Sequence, residues 1–444
     1  MLFDTNKIGK FKFSLLIIFL MILINYLSFS YTSINFLRST YSGIIIIGII
    51  LFMFLFIFSN GLVKSIKHPL KLYLLFYSGY YLSGIINISD YRGYINETFW
   101  FFQVIIGLVA ILIGWSIGKY KMKNNSYSRA EYDLNKPLIF IILGASFLCA
   151  GYVVFNQGLL FLNPDSRFSI NPIASYMVEL SIPVTIVCLG YMLQFNRKTS
   201  HKILLIIFTL VLLFCLGYRN QPMILLASVL LLLLFSSNDR HPSKKMRLII
   251  STSFTVLLVI FSILFLMRNE SSDSLFNWEK LASNYNVASP QLTIPIIPFH
   301  FQSREGMGVT EIALERSEKI EELTPINRLF ILDLYTLLPG EQDTAGSIVG
   351  LVVNLSSNVS LTPSILGGLY ISYGPIGIFI FYLIVGMILS ILWKNYKRSN
   401  SFFHLALVTL FLIYLIELTN RGFFKPMYII SIIPLLIIVK KREK

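Results

Sequence analysis

Residues 203–235 read ILLIIFTLVLLFCLGYRNQPMILLASVLLLLLF. This apolar run of 33 residues is too long for one membrane-spanning helix, which needs about 20 residues, and short for two. Basic residues flank both ends, with Lys202 before the run and Arg240 after it. Because positive flanks mark the cytoplasmic side of a span, both ends are expected on that side. The run therefore predicts a hairpin of two spans that turns at residues 217–222.

The rest of the chain has the composition of a membrane protein. Of its 444 residues, 55% are hydrophobic and 13% are charged, whereas a soluble domain has about 25% charged residues. The net charge of +15 lies in short loops between apolar runs, and no basic groove is present, which argues against a nucleic-acid partner. Cys149, Cys188 and Cys215 fall inside apolar runs without metal-ligand spacing, so no metal is expected.

The apolar runs predict an all-α, polytopic fold with about twelve transmembrane helices and both termini in the cytoplasm. Of the 37 Lys and Arg residues, 25 fall in the predicted inner loops, against 5 of the 22 Asp and Glu residues. This asymmetry supports the topology. The predicted spans are 13–33, 41–58, 72–88, 98–118, 137–156, 173–193, two within 203–235, 248–267, 364–393, 402–418 and 423–439.

These spans divide the chain into three parts. Residues 1–267 hold nine spans, residues 268–363 form one large extracytoplasmic loop, and residues 364–444 hold the last three spans. In the loop, Thr310 is expected to cap a helix that runs to Leu323. Thr324 and Pro325 then open a second, amphipathic helix, expected to lie on the membrane surface. The tenth span is expected to begin with a re-entrant or interfacial piece at residues 366–375.

Candidate functional residues are concentrated on the predicted outer side. Arginine outnumbers lysine there by nine to three, and the planar guanidinium binds phosphate and carboxylate in a bidentate manner that lysine cannot match. Arg219 at the hairpin tip needs an anionic partner so close to the membrane, and Glu179 is one candidate. Glu417 and Arg421 are four residues apart and are predicted to pair on one helix face.

Several short motifs accompany this architecture. They are GYRN at 217–220, LPGEQ at 338–342, LTPSILGGLY at 361–370 and YGPIG at 373–377. Together with the hairpin, the large outer loop and the span count, they resemble the Wzy-type polymerases of O-antigen and capsule repeat units.

The resemblance implies a metal-independent glycosyltransferase without a cofactor, in a bacterial cytoplasmic membrane. Its substrates would be undecaprenyl-diphosphate-linked oligosaccharides on the outer face, with undecaprenyl diphosphate as the leaving group. A flippase and a chain-length regulator would be its partners. The candidate catalytic residues are Arg219, His300, Arg304, Glu305, Glu341 and Asp343. The candidate substrate-binding residues are Arg167, Arg316, Arg328, Tyr370 and Arg421.

Two other functions compete with this interpretation. A lipid-linked oligosaccharide flippase or another transporter also has about twelve spans, but such proteins usually show internal repeats and midplane sites, which this sequence lacks. A ligase that moves finished glycan to another acceptor resembles the polymerases closely. The sequence leaves two choices open. The general base could be any of His300, Glu305, Glu341 and Asp343. The anionic partner of Arg219 could be Glu179 or the lipid diphosphate.

Overall fold

A computed structural model describes residues 67–85, 92–93, 95–121, 132–158, 160, 171–217, 220–236, 290–338, 343–354 and 360–441. These residues are mostly helical. The helices are α1 (Pro69–Ile85), α2 (Glu97–Lys121), α3 (Lys136–Gln157), α4 (Pro172–Glu179), α5 (Ser181–Gln194), α6 (Thr199–Cys215), α7 (Asn220–Ser236), α8 (Pro290–Glu315), α9 (Ser317–Leu323), a 3-10 helix (Ile326–Leu337), α10 (Ala345–Asn354), α11 (Ser364–Ser399), α12 (Phe402–Arg421), α13 (Met427–Ile430) and α14 (Ile432–Ile438).

Five helical segments within the described residues are long and apolar enough to cross a membrane: Glu97–Tyr120, Lys136–Gln157, Pro172–Gln194, Ser364–Ser399 and Phe402–Arg421. Shorter apolar helices cover α6, α7 and the α13–α14 segment. An all-α membrane architecture is thus confirmed. The count of twelve spans stays a prediction, because the spans at 13–33, 41–58 and 248–267 lie outside the described residues.

The predicted hairpin is present as two helices, α6 and α7. Helix α6 ends at Cys215, and Gly217 follows with a φ of +64°, a left-handed conformation that favours glycine. Helix α7 starts at Asn220, two residues before Pro222. The break between the two helices overlaps the predicted turn at residues 217–222, but residues 220–222 are already helical, and residues 218–219 lie outside the described residues.

Helix α12 is at the centre of the bundle. It contacts α1, α5, α7 and α11, and most of its side chains are buried. Helix α11 packs along α2, where Gly114 faces the backbone of Leu383 and Gly386 faces the backbone of Ile111. A side chain at either glycine would overlap the opposite carbonyl, so the two helices depend on these small residues for their close approach.

Helix α11 is broken near its start, at the end of the piece 366–375 that the sequence predicts to be re-entrant or interfacial. Gly374 has a φ of +64° and is followed by Pro375, so a short helix from Ser364 gives way to a long one that ends at Ser399. The break turns the first ten residues of α11 away from the axis of the span. This orients Ser364 toward the end of α12, where it packs against Gly422.

The described part of the predicted outer loop differs from the expectation in its helix boundaries. The cap at Thr310 is wrong, because Thr310 lies inside α8, which already begins at Pro290. Its buried hydroxyl is 2.6 Å from the carbonyl of Gly306 and 2.8 Å from that of Pro363. Thr310 thus joins α8 to the start of α11. A break at Arg316 separates α8 from α9.

The second predicted loop helix is present as the 3-10 helix that follows Pro325. Leu329 and Phe330 are buried. The Phe330 N–H donates to the Ser372 hydroxyl at 3.0 Å, and the Phe330 carbonyl accepts from the N–H of Phe424 at 2.9 Å. The 3-10 helix is therefore docked on α11 and on the segment that follows α12.

Two short strands join distant parts of the chain. Strand β1 (Tyr132–Leu134) pairs antiparallel with β2 (Val439–Lys441), with Tyr132 opposite Lys441. The predicted topology puts both strands on the cytoplasmic side of the membrane. Their pairing agrees with this prediction, because it requires that the two strands lie on the same side. Which side of the membrane this is stays a prediction.

Candidate functional site

The carboxylate of Glu417 is the centre of a polar cluster at the end of α12. Its side chain is only 8% exposed. Its Oε1 accepts from Asn220 Nδ2 at 2.8 Å and from Lys425 Nζ at 2.7 Å, and Arg421 Nε lies 3.9 Å away. A buried carboxylate needs such partners to offset its lost hydration. We call Glu417, Asn220, Arg421 and Lys425 the Glu417 cluster.

The cluster contains more positive than negative charge. The predicted pair of Glu417 and Arg421 is confirmed, but Lys425 is the closer cation. The side chains of Arg421 and Lys425 are 38% and 26% exposed, so an anion from outside can reach both. Sequence analysis missed Lys425, although a lysine within an apolar run is itself a signal of function.

A second carboxylate binds the next residue of the hairpin. Glu179 is buried in the last turn of α4, and its Oε1 accepts from Gln221 Nε2 at 2.8 Å. Asn220 and Gln221 open α7, so two carboxylates from different helices anchor the start of this helix. Arg219 immediately precedes them in the chain but lies outside the described residues, so its proposed pairing with Glu179 stays a prediction.

Asp333 lies in the middle of the 3-10 helix and is a further carboxylate under the influence of the cluster's cations. It is half-buried, and its Oδ1 accepts from the N–H of Ala345 at 2.8 Å, which fixes the start of α10. Burial raises the pKa of Asp333 above its ordinary value, against the opposing effects of the Ala345 N–H and of the positive charges on Lys425 and Arg421. The positive charges of Lys425 and Arg421 are thus within electrostatic range of the Asp333 carboxylate.

The structure brings three predicted catalytic residues together elsewhere, on α8. His300 Nδ1 is 2.5 Å from the carbonyl of Ser83. Arg304, which is 2% exposed, donates to the carbonyls of Gly84 at 3.4 Å and Gly93 at 2.8 Å. These bonds tie α8 to the end of α1 and to the turn before α2.

The third of these residues, Glu305, pairs with Arg92 at 3.1 Å. Burial lowers the pKa of His300 to about 4, with a smaller contribution from Arg304, so the imidazole is neutral at pH 7. A neutral, buried imidazole bound to a carbonyl is a weak candidate for a general base.

The remaining predicted residues are spread over the chain. Arg316 donates to the carbonyls of Val352 at 2.8 Å and Val353 at 3.2 Å, and so binds the end of α10. Tyr370 packs edge-on against Phe99, with ring centres 4.8 Å apart. Arg328 and Asp343 are exposed. Arg167, Arg219 and Glu341 lie outside the described residues.

The described residues contain no group of three or more His, Cys, Asp or Glu side chains that could hold a metal ion. The polar atoms of the Glu417 cluster suit a different ligand. Arg421 and Lys425 are its partly exposed cations, and such groups can bind an anion such as a phosphate group.

Comparison with known proteins bears on the same segment. Residues 331–432 match the family model described as putative O-antigen polymerase. The family resemblance is thereby confirmed over these residues, which include Asp333, Glu417, Arg421 and Lys425. The match supports polysaccharide polymerisation as the general function and does not favour a flippase. No curated protein and no solved structure matches the chain.

Proposed function

We propose that this protein polymerises lipid-diphosphate-linked oligosaccharide repeat units at the outer face of the bacterial cytoplasmic membrane. The observation that carries the proposal is the Glu417 cluster. Its three charged residues lie within the segment that matches the O-antigen polymerase family, and Arg421 and Lys425 are partly exposed beside the start of α7.

The cluster would bind the diphosphate of the donor lipid. Arg421 and Lys425 are both partly exposed beside Glu417, and Asn220 ties the hairpin to the same carboxylate. Arg219, one residue earlier in the chain, would add a bidentate contact to the phosphate oxygens. Fixed cations of this kind stabilise the negative charge that develops on the leaving diphosphate in the transition state.

The reaction then needs one proton acceptor. The acceptor hydroxyl oxygen forms a bond with the anomeric carbon of the donor sugar, while the bond from that carbon to the diphosphate oxygen breaks. Undecaprenyl diphosphate leaves with the bonding electrons, and the hydroxyl proton passes to a carboxylate. Among the described carboxylates we assign this role to Asp333, since it is half-buried beside the cations and its raised pKa favours proton uptake.

Deletion and complementation test the proposal in cells. A deletion strain should display single capped repeat units and no polymer, and the wild-type gene should restore the polymer. Asp333→Asn and Lys425→Gln should each lower polymer yield at least tenfold at normal protein level. Lys319→Gln, an exposed change on α9 away from the cluster, is the matched control and should keep full yield. Loss of even single units from the surface on deletion would indicate a flippase instead.

A further inference from the structure

A pocket lined by lysines and aromatic rings lies at the opposite end of α11, between α2, α11 and His68, which directly precedes α1. Its volume is about 650 Å³. One histidine, two tryptophans and three lysines are among its lining residues: His68, Trp115, Lys119, Trp393, Lys394 and Lys397. The topology predicts that this end of the bundle faces the cytoplasm, so the pocket is separate from the Glu417 cluster.

The pocket is strongly basic. Lys119, Lys394 and Lys397 line it, and none of its described lining residues is a carboxylate. Lys394 Nζ donates to the Lys119 carbonyl at 3.0 Å, which fixes the end of α11 against α2. Lys397 Nζ is 5.0 Å from the ring centre of Trp393, a cation–π arrangement that holds the ammonium group at the rim.

His68 lies between two tryptophans at the base of the pocket. Its ring centre is 5.0 Å from that of Trp115 and 5.8 Å from that of Trp393. Among the described residues its buried Nδ1 has no hydrogen-bond partner. Burial, together with the charges of Lys71, Lys397 and Lys119, lowers the pKa of His68 to about 4, so the imidazole is neutral at pH 7 and the lysines supply the positive charge of the pocket. A buried ring nitrogen without a partner in the protein can donate a hydrogen bond to an acceptor atom of a bound ligand.

An apolar stripe leads away from the pocket along α2. Ile113, Ile117 and Tyr120 follow one another at helical spacing and are 41%, 43% and 81% exposed. An exposed tyrosine at the end of an apolar helix is typical of the membrane interface. The pocket therefore combines a cationic site with a surface for hydrocarbon chains.

We propose that this pocket binds the phosphate headgroup of an anionic phospholipid, with the acyl chains along the Ile113–Tyr120 stripe. The three lysines neutralise the phosphate, and His68 donates Nδ1–H to one of its oxygens. Free inorganic phosphate shares the headgroup chemistry, but only a lipid also uses the apolar stripe. Basic pockets between helices on the cytoplasmic side are a known form of phospholipid recognition.

Thermal unfolding of the purified full-length protein in detergent tests this proposal. Phosphatidylglycerol in mixed micelles should raise the Tm in a saturable manner, whereas phosphatidylcholine should not. In the triple variant K119Q/K394Q/K397Q the midpoint concentration of phosphatidylglycerol should increase about a hundredfold, since each lysine contributes roughly fivefold. The control K136Q/K198Q/K202Q, with three lysines of the predicted inner loops that do not line the pocket, should titrate like the wild type.

Two further measurements keep the test decisive. If the triple variant does not fold, Lys119→Gln alone, an exposed side chain, should still shift the midpoint about fivefold. His68→Phe, which keeps a ring between the tryptophans, should weaken binding without a loss of folded protein. Equal titrations of K119Q/K394Q/K397Q and its control would overturn the proposal. An equal Tm increase with inorganic diphosphate alone would also overturn it, because the occupant would then be a free phosphate.

Discussion

A double-mutant cycle between Glu417 and Lys425 measures the contact at the centre of the Glu417 cluster. A hydrogen bond between charged groups contributes about 1.5–3 kcal/mol. Lys425 is 26% exposed and Glu417 is 8% exposed, so solvent weakens this one in part. We therefore expect a coupling free energy of about 1–2 kcal/mol between E417Q and K425M.

The same cycle with R421M is the internal control. Arg421 Nε is 3.9 Å from the Glu417 carboxylate, and the Arg421 side chain is 38% exposed. Ion pairs of this exposure contribute about 0–1 kcal/mol, so the coupling between E417Q and R421M should be below about 0.5 kcal/mol.

Thermal unfolding of the purified variants is the assay. Since 1 kcal/mol moves the Tm of a large protein by roughly 2 °C, the Lys425 coupling should appear as about 2–4 °C. The E417Q/K425M double variant should then unfold near the Tm of the weaker single variant rather than at the sum of both shifts. Shifts that add within 1 °C would refute a coupled pair between Glu417 and Lys425.

Three further predictions concern packing, pH and topology. Gly114→Ala should lower the Tm markedly, because the new methyl group would overlap the Leu383 carbonyl. Gly144→Ala is the control and should leave the Tm unchanged, because no atom lies within 4 Å of the new methyl group. Equal Tm values for the two variants would contradict the close contact between α2 and α11. The pKa of His300 is about 4 in the folded protein, against an ordinary value of 6.5. Between these pH values the unfolded chain therefore binds a proton that the folded protein does not. The free energy of unfolding then falls on acidification by up to about 1.4 kcal/mol per pH unit. His300→Gln should flatten this fall between pH 6.5 and 4, and an unchanged pH dependence of the Tm would argue against it. Reporter fusions should read cytoplasmic at Ser399 and external at Ser317, and a cytoplasmic signal at Ser317 would reverse the proposed sidedness.

Charge and apolar length predicted the parts of the fold that depend on the membrane. The hairpin of α6 and α7 followed from basic flanks on both ends of one long run, and a distinct piece at residues 366–375 was expected at the start of the tenth span. These features depend on local sequence alone, because the bilayer fixes the length and the flanks of each span.

Tertiary contacts decided what the sequence did not predict. Helix α8 contains Pro295 and Pro298, which discourage a helix, yet it forms against α1. Thr310 has the side chain of a good cap but uses its hydroxyl to join α8 to Pro363. Such choices are set by packing partners that are distant in the chain.

Local sequence predicted only part of the candidate site, because the other contacts join residues that are distant in the chain. The pair of Glu417 and Arg421 lies on one helix face, so spacing was sufficient to predict it. Lys425 reaches the same carboxylate only because the chain turns at Gly422, which has a φ of +83°. Asp333 comes within electrostatic range of Lys425 and Arg421 from a segment 84 residues earlier than Glu417, and no local pattern predicts that approach.

Polymerisation by the purified protein in liposomes with a lipid-diphosphate-linked repeat unit tests the central claim most directly. The wild-type protein should form polymer and release one undecaprenyl diphosphate for each new glycosidic bond. Arg219→Lys should remain folded but form almost no polymer, since lysine does not bind two phosphate oxygens at once. Full polymer length and yield with Arg219→Lys would contradict the diphosphate site, and lipid transport without polymer from the wild-type protein would contradict the polymerase itself.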